Sequence, residues 1–140
     1  MVWTRKLAPA EIQKICKGTM CEHLGMVFTE VGDDYLIATM PVDHRTRQPA
    51  GLLHGGASVA LAESLGSLAS VMCLPDENSM PVGVEINANH LKAVTSGVVT
   101  GTVKPIKIGH SIHVWNIEIR NEKHDLVCIS RLTVKVVKRR

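Results

Sequence analysis

Gln48-Pro-Ala-Gly-Leu-Leu-His54-Gly-Gly-Ala-Ser-Val-Ala-Leu-Ala-Glu63-Ser-Leu-Gly-Ser67-Leu-Ala-Ser70-Val-Met-Cys-Leu-Pro75 is the stretch on which the fold turns. From Ala57 onward, small residues (Ala, Ser and Gly) interleave with Val59, Leu61, Leu65, Leu68, Val71 and Met72. A helix that is apolar or small on every side is either buried or spans a membrane. The Gly and Ser content and the central Glu63 argue against a span, which needs ~20 mainly apolar residues. The spacing therefore predicts a buried helix over Ala57–Leu74, introduced by Gly55-Gly56 and stopped by Pro75. Something has to wrap it.

The wrapping follows in the chain. Val82–Leu91, Gly97–Ile108, Ser111–Arg120 and Leu126–Val137 read as strands, the last two joined by an Asn121–Asp125 turn. Trp115, Ile117 and Ile119 alternate with Asn116, Glu118 and Arg120, the pattern of a sheet with one buried face. Upstream, Pro9 opens a short helix over Ala10–Lys17 that Gly18 closes. Leu24–Val31 and Tyr35–Met40 flank Gly32-Asp33-Asp34, a hairpin signal. One long buried helix followed by consecutive strands implies an α+β arrangement, an antiparallel sheet curled around the helix. Without a repeat or linker, residues 1–140 read as a single domain.

Composition agrees. The chain has 140 residues, enough for one real core, and only four are aromatic, so aliphatic residues and Met must build it. Sixteen basic against thirteen acidic residues leave +3, much of it in the tail Lys135-Val-Val-Lys-Arg-Arg140. A solvated tail accounts for that cluster, and the charge is too even for a nucleic-acid binder. Cys16, Cys21, Cys73 and Cys128 form no CxxC, and the start of the chain carries no apolar secretory segment, so a reducing, cytoplasmic setting is expected.

Between Arg47 and Asp76 there is one charged residue, Glu63, in the middle of the predicted buried helix. An unpaired buried carboxylate costs several kcal/mol, so it persists when it is paired or functional. Desolvation would raise its pKa, which suits a base near neutral pH. A structural partner such as His54, Arg45 or Arg47 would explain it equally well. Two neighbours favour chemistry. His54-Gly55-Gly56 opens the helix, where free N–H groups and the positive dipole end attract negative charge and an oxyanion could sit. Ser67 lies one turn beyond Glu63 on the same face and could orient a water.

Together these residues resemble the signature of hotdog-fold thioesterases of the 4-hydroxybenzoyl-CoA thioesterase, phenylacetic-acid-pathway type. The resemblance covers the whole chain, from Trp3 through Gly32-Asp33-Asp34, Ala38-Thr-Met-Pro-Val-Asp43 and Glu85-Ile-Asn-Ala-Asn-His90 to Ser130-Arg-Leu-Thr133. It implies a hotdog fold and hydrolysis of an acyl- or aroyl-CoA. Glu63 would act as general base or nucleophile, and the Gly55 N–H would polarise the thioester carbonyl. Gln48 and His54 would lie near the same oxygen or the water, and Ser67 would assist hydrolysis. No metal or separate cofactor is implied, since CoA belongs to the substrate. His110 and His113 would point to opposite strand faces, a poor chelate.

The same resemblance assigns the CoA arm to Gly83, to His90, Leu91, Lys92 and Ala93, and to Lys107, Ile108, Gly109, His110, Ser111 and Ile112. Lys104, Lys107 and His110 flank Gly109, a fair phosphate seat, although a solvated turn reads equally well from the residues alone. It further implies homodimers that pair into tetramers, with the site at the dimer interface, and neither a nucleic-acid nor a membrane partner. A hotdog dehydratase would rely on a catalytic His in a different motif. A non-catalytic acyl-CoA-binding relative would lack the buried acid. The small residues of Ala57–Ala69 leave open whether they make room for an acyl group or for the sheet.

Overall fold

Helix α3 runs over Gly55–Met72, and one sheet of six antiparallel strands curls around it. The structure, a computed structural model, describes residues 1–140. In chain order the elements are α1 (Pro9–Ile15), α2 (Met20–His23), β1 (Val27–Val31), β2 (Leu36–Pro41), α3, β3 (Ser79–His90), β4 (Val98–Ile108), β5 (Ile112–Arg120) and β6 (Leu126–Lys138). In space the strands lie in the order β1-β2-β4-β5-β6-β3, so β3 lies beyond β4, β5 and β6 and becomes an edge. This is the hotdog arrangement.

Periodicity explains the layers. β5 alternates buried and half-buried residues along its length, turning Trp115, Ile117 and Ile119 onto the helix. Leu132 and Val134 of β6, and Val99 and Val103 of β4, complete the same face. The helix meets β2 through β6 along Ala57, Leu61, Ala62, Leu65 and Ala69. At Gly66 a methyl group would stand 2.5 Å from Leu132 Cδ2, so small residues on this face serve packing against the sheet.

The element ends differ from the sequence reading for local reasons. Helix α3 takes in Gly55 and Gly56 because the His54 side chain caps it there. It stops at Met72, whose carbonyl accepts from the N–H groups of Thr4 (2.9 Å) and Arg5 (3.0 Å). β3 begins at Ser79 instead of Val82, because its ladder with β6 runs to the pair Ser79–Lys138. The short helix α2 was unforeseen. Glu22 fastens it by accepting from the Gly18 N–H at 2.6 Å. Gln13 ties α1 to β1, accepting from Phe28 N–H (3.0 Å) and donating to the Met26 carbonyl (3.1 Å).

Candidate active site

The N-terminus of α3 is held by its loop. Leu53 N–H donates to Val94 O (2.7 Å) and His54 N–H to Thr46 O (2.8 Å). Thr46 is itself buried, which fixes the point at which the helix begins. The first helical N–H groups are then divided up. His54 Nδ1 accepts from Gly56 N–H at 2.7 Å, while Ala57 and Ser58 N–H donate to the His54 carbonyl (3.0 and 3.2 Å). Gly55 N–H alone has no acceptor in the chain. His54 thus acts as a cap, and its Nδ1 bond places the ring proton on Nε2.

That free N–H opens onto a cleft of about 380 Å³ lined by Gln48, Gly55, Ser58 and His90–Ala93 with neighbouring aliphatic side chains. Gln48 Oε1 accepts from Ala50 N–H, so the side-chain NH₂ remains to donate. His90 packs so tightly on Gly55 that a Cβ there would lie 2.8 Å from His90 Nε2. Only glycine lets imidazole and backbone approach this closely. Lys92 is less free than its sequence position suggests. Its ammonium pairs with Asp125 at 2.8 Å, and that cation holds the Asp125 carboxyl below the usual range.

Glu63 lies elsewhere. It is half-buried, not sealed in the core, because it projects beside the edge strand: a Cβ on Gly83 would stand 2.6 Å from Glu63 Oε1. With Ser67, Cys16 and Cys21 it lines a second depression, of about 300 Å³. None of the chain's ion pairs includes it. The partners a structural role would need are engaged otherwise. Arg45 holds Asp43 at 2.7 Å, the Arg47 guanidinium points to Val42 O (3.4 Å), and His54 caps the helix. The Glu63 carboxylate is left for something outside the chain.

One chain does not unite the expected residues. Gly55 and Glu63 are eight residues apart, about 12 Å along the helix axis. The assigned CoA segments also separate. Val82, next to Gly83, is level with Lys135 and so with Ile112 at the β4–β5 tip, whereas His90 is level with Cys128 at the other end of the sheet. Seven residues of strand span about 23 Å. Lys107, Ile108, His110 and Ser111 form an exposed hairpin tip, with Gly109 N–H closing it onto Ile112 O at 2.8 Å. His113 does not join His110 at that surface. It is buried, its Nδ1 3.0 Å from Ser70 Oγ, which also accepts from Trp115 Nε1 at 2.7 Å. This buried triad escaped the sequence reading, although a histidine on the apolar face of a strand was its signal.

A long helix wrapped by an antiparallel sheet defines a hotdog protein, and its glycine start with a free N–H and its unengaged carboxylate two turns on are groups of the kind acyl transfer uses. Residues 50–128 match the model of the Thioesterase superfamily. The chain belongs to that family and is a thioester hydrolase. It is 49% identical over 137 residues to the 1,4-dihydroxy-2-naphthoyl-CoA hydrolase of Escherichia coli, covering 98% of this chain and 100% of the relative. It is 47% identical over 137 residues to the proofreading thioesterase EntH of Cronobacter sakazakii, covering 98% and 99%. The crystal structure of a thioesterase from Haemophilus influenzae superposes with a TM-score of 0.95 at 48% identity, covering 99% of this chain and 96% of the other.

Proposed function

We propose that this thioesterase hydrolyses an acyl- or aroyl-coenzyme A, an aromatic group such as 1,4-dihydroxy-2-naphthoyl being the first candidate, with Glu63 as the catalytic carboxylate. The unengaged Glu63 side chain carries the reading. The thioester oxygen takes Gly55 N–H and the Gln48 amide as donors. Water adds to the carbonyl carbon as Glu63 accepts its proton, and Ser67 steadies that water. The C–S bond then breaks, and the proton passes to the departing CoA thiolate. Direct attack by Glu63, followed by hydrolysis of the anhydride, gives the same products. Neither route calls for a metal or cofactor, and the cytoplasm is the expected setting for such a substrate.

Because Gly55 and Glu63 of one chain lie far apart, the working site is completed by a second copy, as a dimer or a pair of dimers. Strand β3 is the edge available for it, presenting Met80, Val82 and Val84 to solvent at 37%, 41% and 61% exposure. Antiparallel pairing of β3 about Ile86–Asn87 would bring His90 and Gly55 of one chain beside the partner's Gly83 and Glu63.

The test is Glu63→Gln assayed against benzoyl-, hydroxynaphthoyl- and medium-chain acyl-CoA. We expect a folded protein whose kcat/KM falls at least ~100-fold, the scale of general acid–base catalysis. Wild-type turnover would sink the assignment. The likeness to a proofreading thioesterase favours a second reading, a carrier-protein thioester substrate. It would gain the upper hand if an aryl-carrier-protein thioester outcompeted the matching CoA ester in kcat/KM.

A further inference from the structure

Helix α3 carries four serines, and their hydroxyls divide into two kinds. Ser64 donates back to the Ala60 carbonyl at 2.7 Å, the usual fate of a helix serine. Ser70 is held between Trp115 and His113. The Ser58 and Ser67 hydroxyls make no hydrogen bond within the chain, and the nearby Cys21 Sγ donates to Ser64 Oγ at 3.4 Å. Ser67 belongs to the Glu63 depression already described. Ser58 is assigned to nothing.

Ser58 is only 1% exposed, yet it lines the cleft beside Gly55. No polar side-chain atom in the chain is both sealed from solvent and unpartnered, so the small accessible area of Ser58 includes its hydroxyl, which opens onto the cleft. The hydroxyl makes no back-bond to the His54 carbonyl one turn earlier, the usual acceptor for a helix serine, and is left to donate into the cleft. Ser58 lies three residues after Gly55 on the same helix face, and helical side chains lean toward the N-terminus. Its hydroxyl therefore leans toward the space in front of the free Gly55 N–H.

We propose that Ser58 is a further catalytic residue, its hydroxyl donating to the thioester oxygen alongside the Gly55 N–H. This rests on the reading that the carbonyl binds at Gly55. As the carbonyl carbon becomes tetrahedral, negative charge collects on that oxygen, and a donor held in a half-desolvated cleft strengthens as the charge grows. Ser58 thus acts on turnover more than on substrate binding.

The test is Ser58→Ala, measured with benzoyl-CoA beside wild type and Glu63→Gln. Alanine is the better helix former and leaves no hydroxyl to satisfy, so the melting temperature should hold or rise. We expect kcat to fall about 10- to 100-fold with KM moving less than threefold, below or at the lower edge of the cost of an oxyanion donor elsewhere. If S58A folds poorly, S58C, with a thiol that donates weakly, serves the same comparison. A stable S58A or S58C with kcat within twofold of wild type would overturn the proposal while leaving the Glu63 reading intact. An active Glu63→Gln would instead bring down the reading beneath it.

Discussion

At Gly55 and Glu63 the site is defined by what each group does not bond. A helix start normally leaves several N–H groups to solvent, but here His54 takes Gly56, its carbonyl takes Ala57 and Ser58, and one donor remains. Glu63 likewise keeps its carboxylate because Arg45 and Arg47 are held by the Asp43 loop, where the Arg45 guanidinium lowers the Asp43 carboxyl to about 2. His113 works the other way, as a polar group fully absorbed by structure. Ser70 Oγ accepts from Trp115 and lies 3.0 Å from His113 Nδ1, so both rings are tied to the helix through one hydroxyl. Burial pushes the His113 pKa down from its ordinary value. In the unfolded chain the ring takes a proton near 6.5, while the folded ring resists until lower pH. Between those two points the unfolded state binds more protons, so folding stability contributed by His113 is full above pH 6.5 and declines as pH falls below it. Thermal melts from pH 7.5 to 5.5 should show a declining midpoint in wild type. His113→Gln should start lower at pH 7.5 and decline less steeply, and an unchanged slope would show that the ring is not the group titrating.

Among the elements, the β4–β5 tip is the one whose function is most open to measurement. Lys107 and His110 are exposed there and unpaired, in contrast to Lys92, which Asp125 already holds. If the tip seats the nucleotide phosphates, replacing both Lys107 and His110 by Ala should raise KM for benzoyl-CoA about fivefold, in keeping with exposed charge contacts. S-benzoylpantetheine, which lacks the nucleotide, should be affected little, and equal effects on both would remove the tip from the CoA path. The elements also show how far the residues could be read. The helix, the hairpin at Gly32–Asp34 and strands β4 to β6 were legible because each carries a periodicity that one buried face imposes. The position of β3 was not, since its burial scarcely alternates and its place at the edge is decided by long-range pairing with β6. Glu63 was legible as an anomaly in an apolar run, but not as half-buried, because that depends on which face of the helix the edge strand leaves uncovered. Ser58 looked like any other small residue of the helix until its missing hydrogen bond could be seen.

For the whole molecule, geometry sets the terms of catalysis more than any single side chain does. Within one chain the free Gly55 N–H and the Glu63 carboxylate face different depressions. A reacting carbonyl must lie ~3 Å from both its donor and its attacking group. A two-fold pairing of β3 would meet that condition twice per dimer, each site taking Gly55 from one chain and Glu63 from its partner. Mixing two variants tests this directly. Glu63→Gln removes the acid. Gly55→Pro removes the single free N–H at a helix position where proline is tolerated, after a His54 whose backbone (φ −67°, ψ 129°) already suits a following proline, and its added carbons displace the exposed His90 ring from the same site. Each variant alone should be nearly inactive. After the two are unfolded together in equal amounts and refolded, half the dimers are mixed, and each mixed dimer holds one site with both native groups and one with neither. Activity should return to roughly a quarter of wild type if the two-fold arrangement holds. Separately refolded chains combined without exchange should stay inactive until subunits swap. No recovery in the mixture, with both variants folded and dimeric by light scattering, would place Gly55 and Glu63 in the same chain's site and require α3 to bring them together by itself.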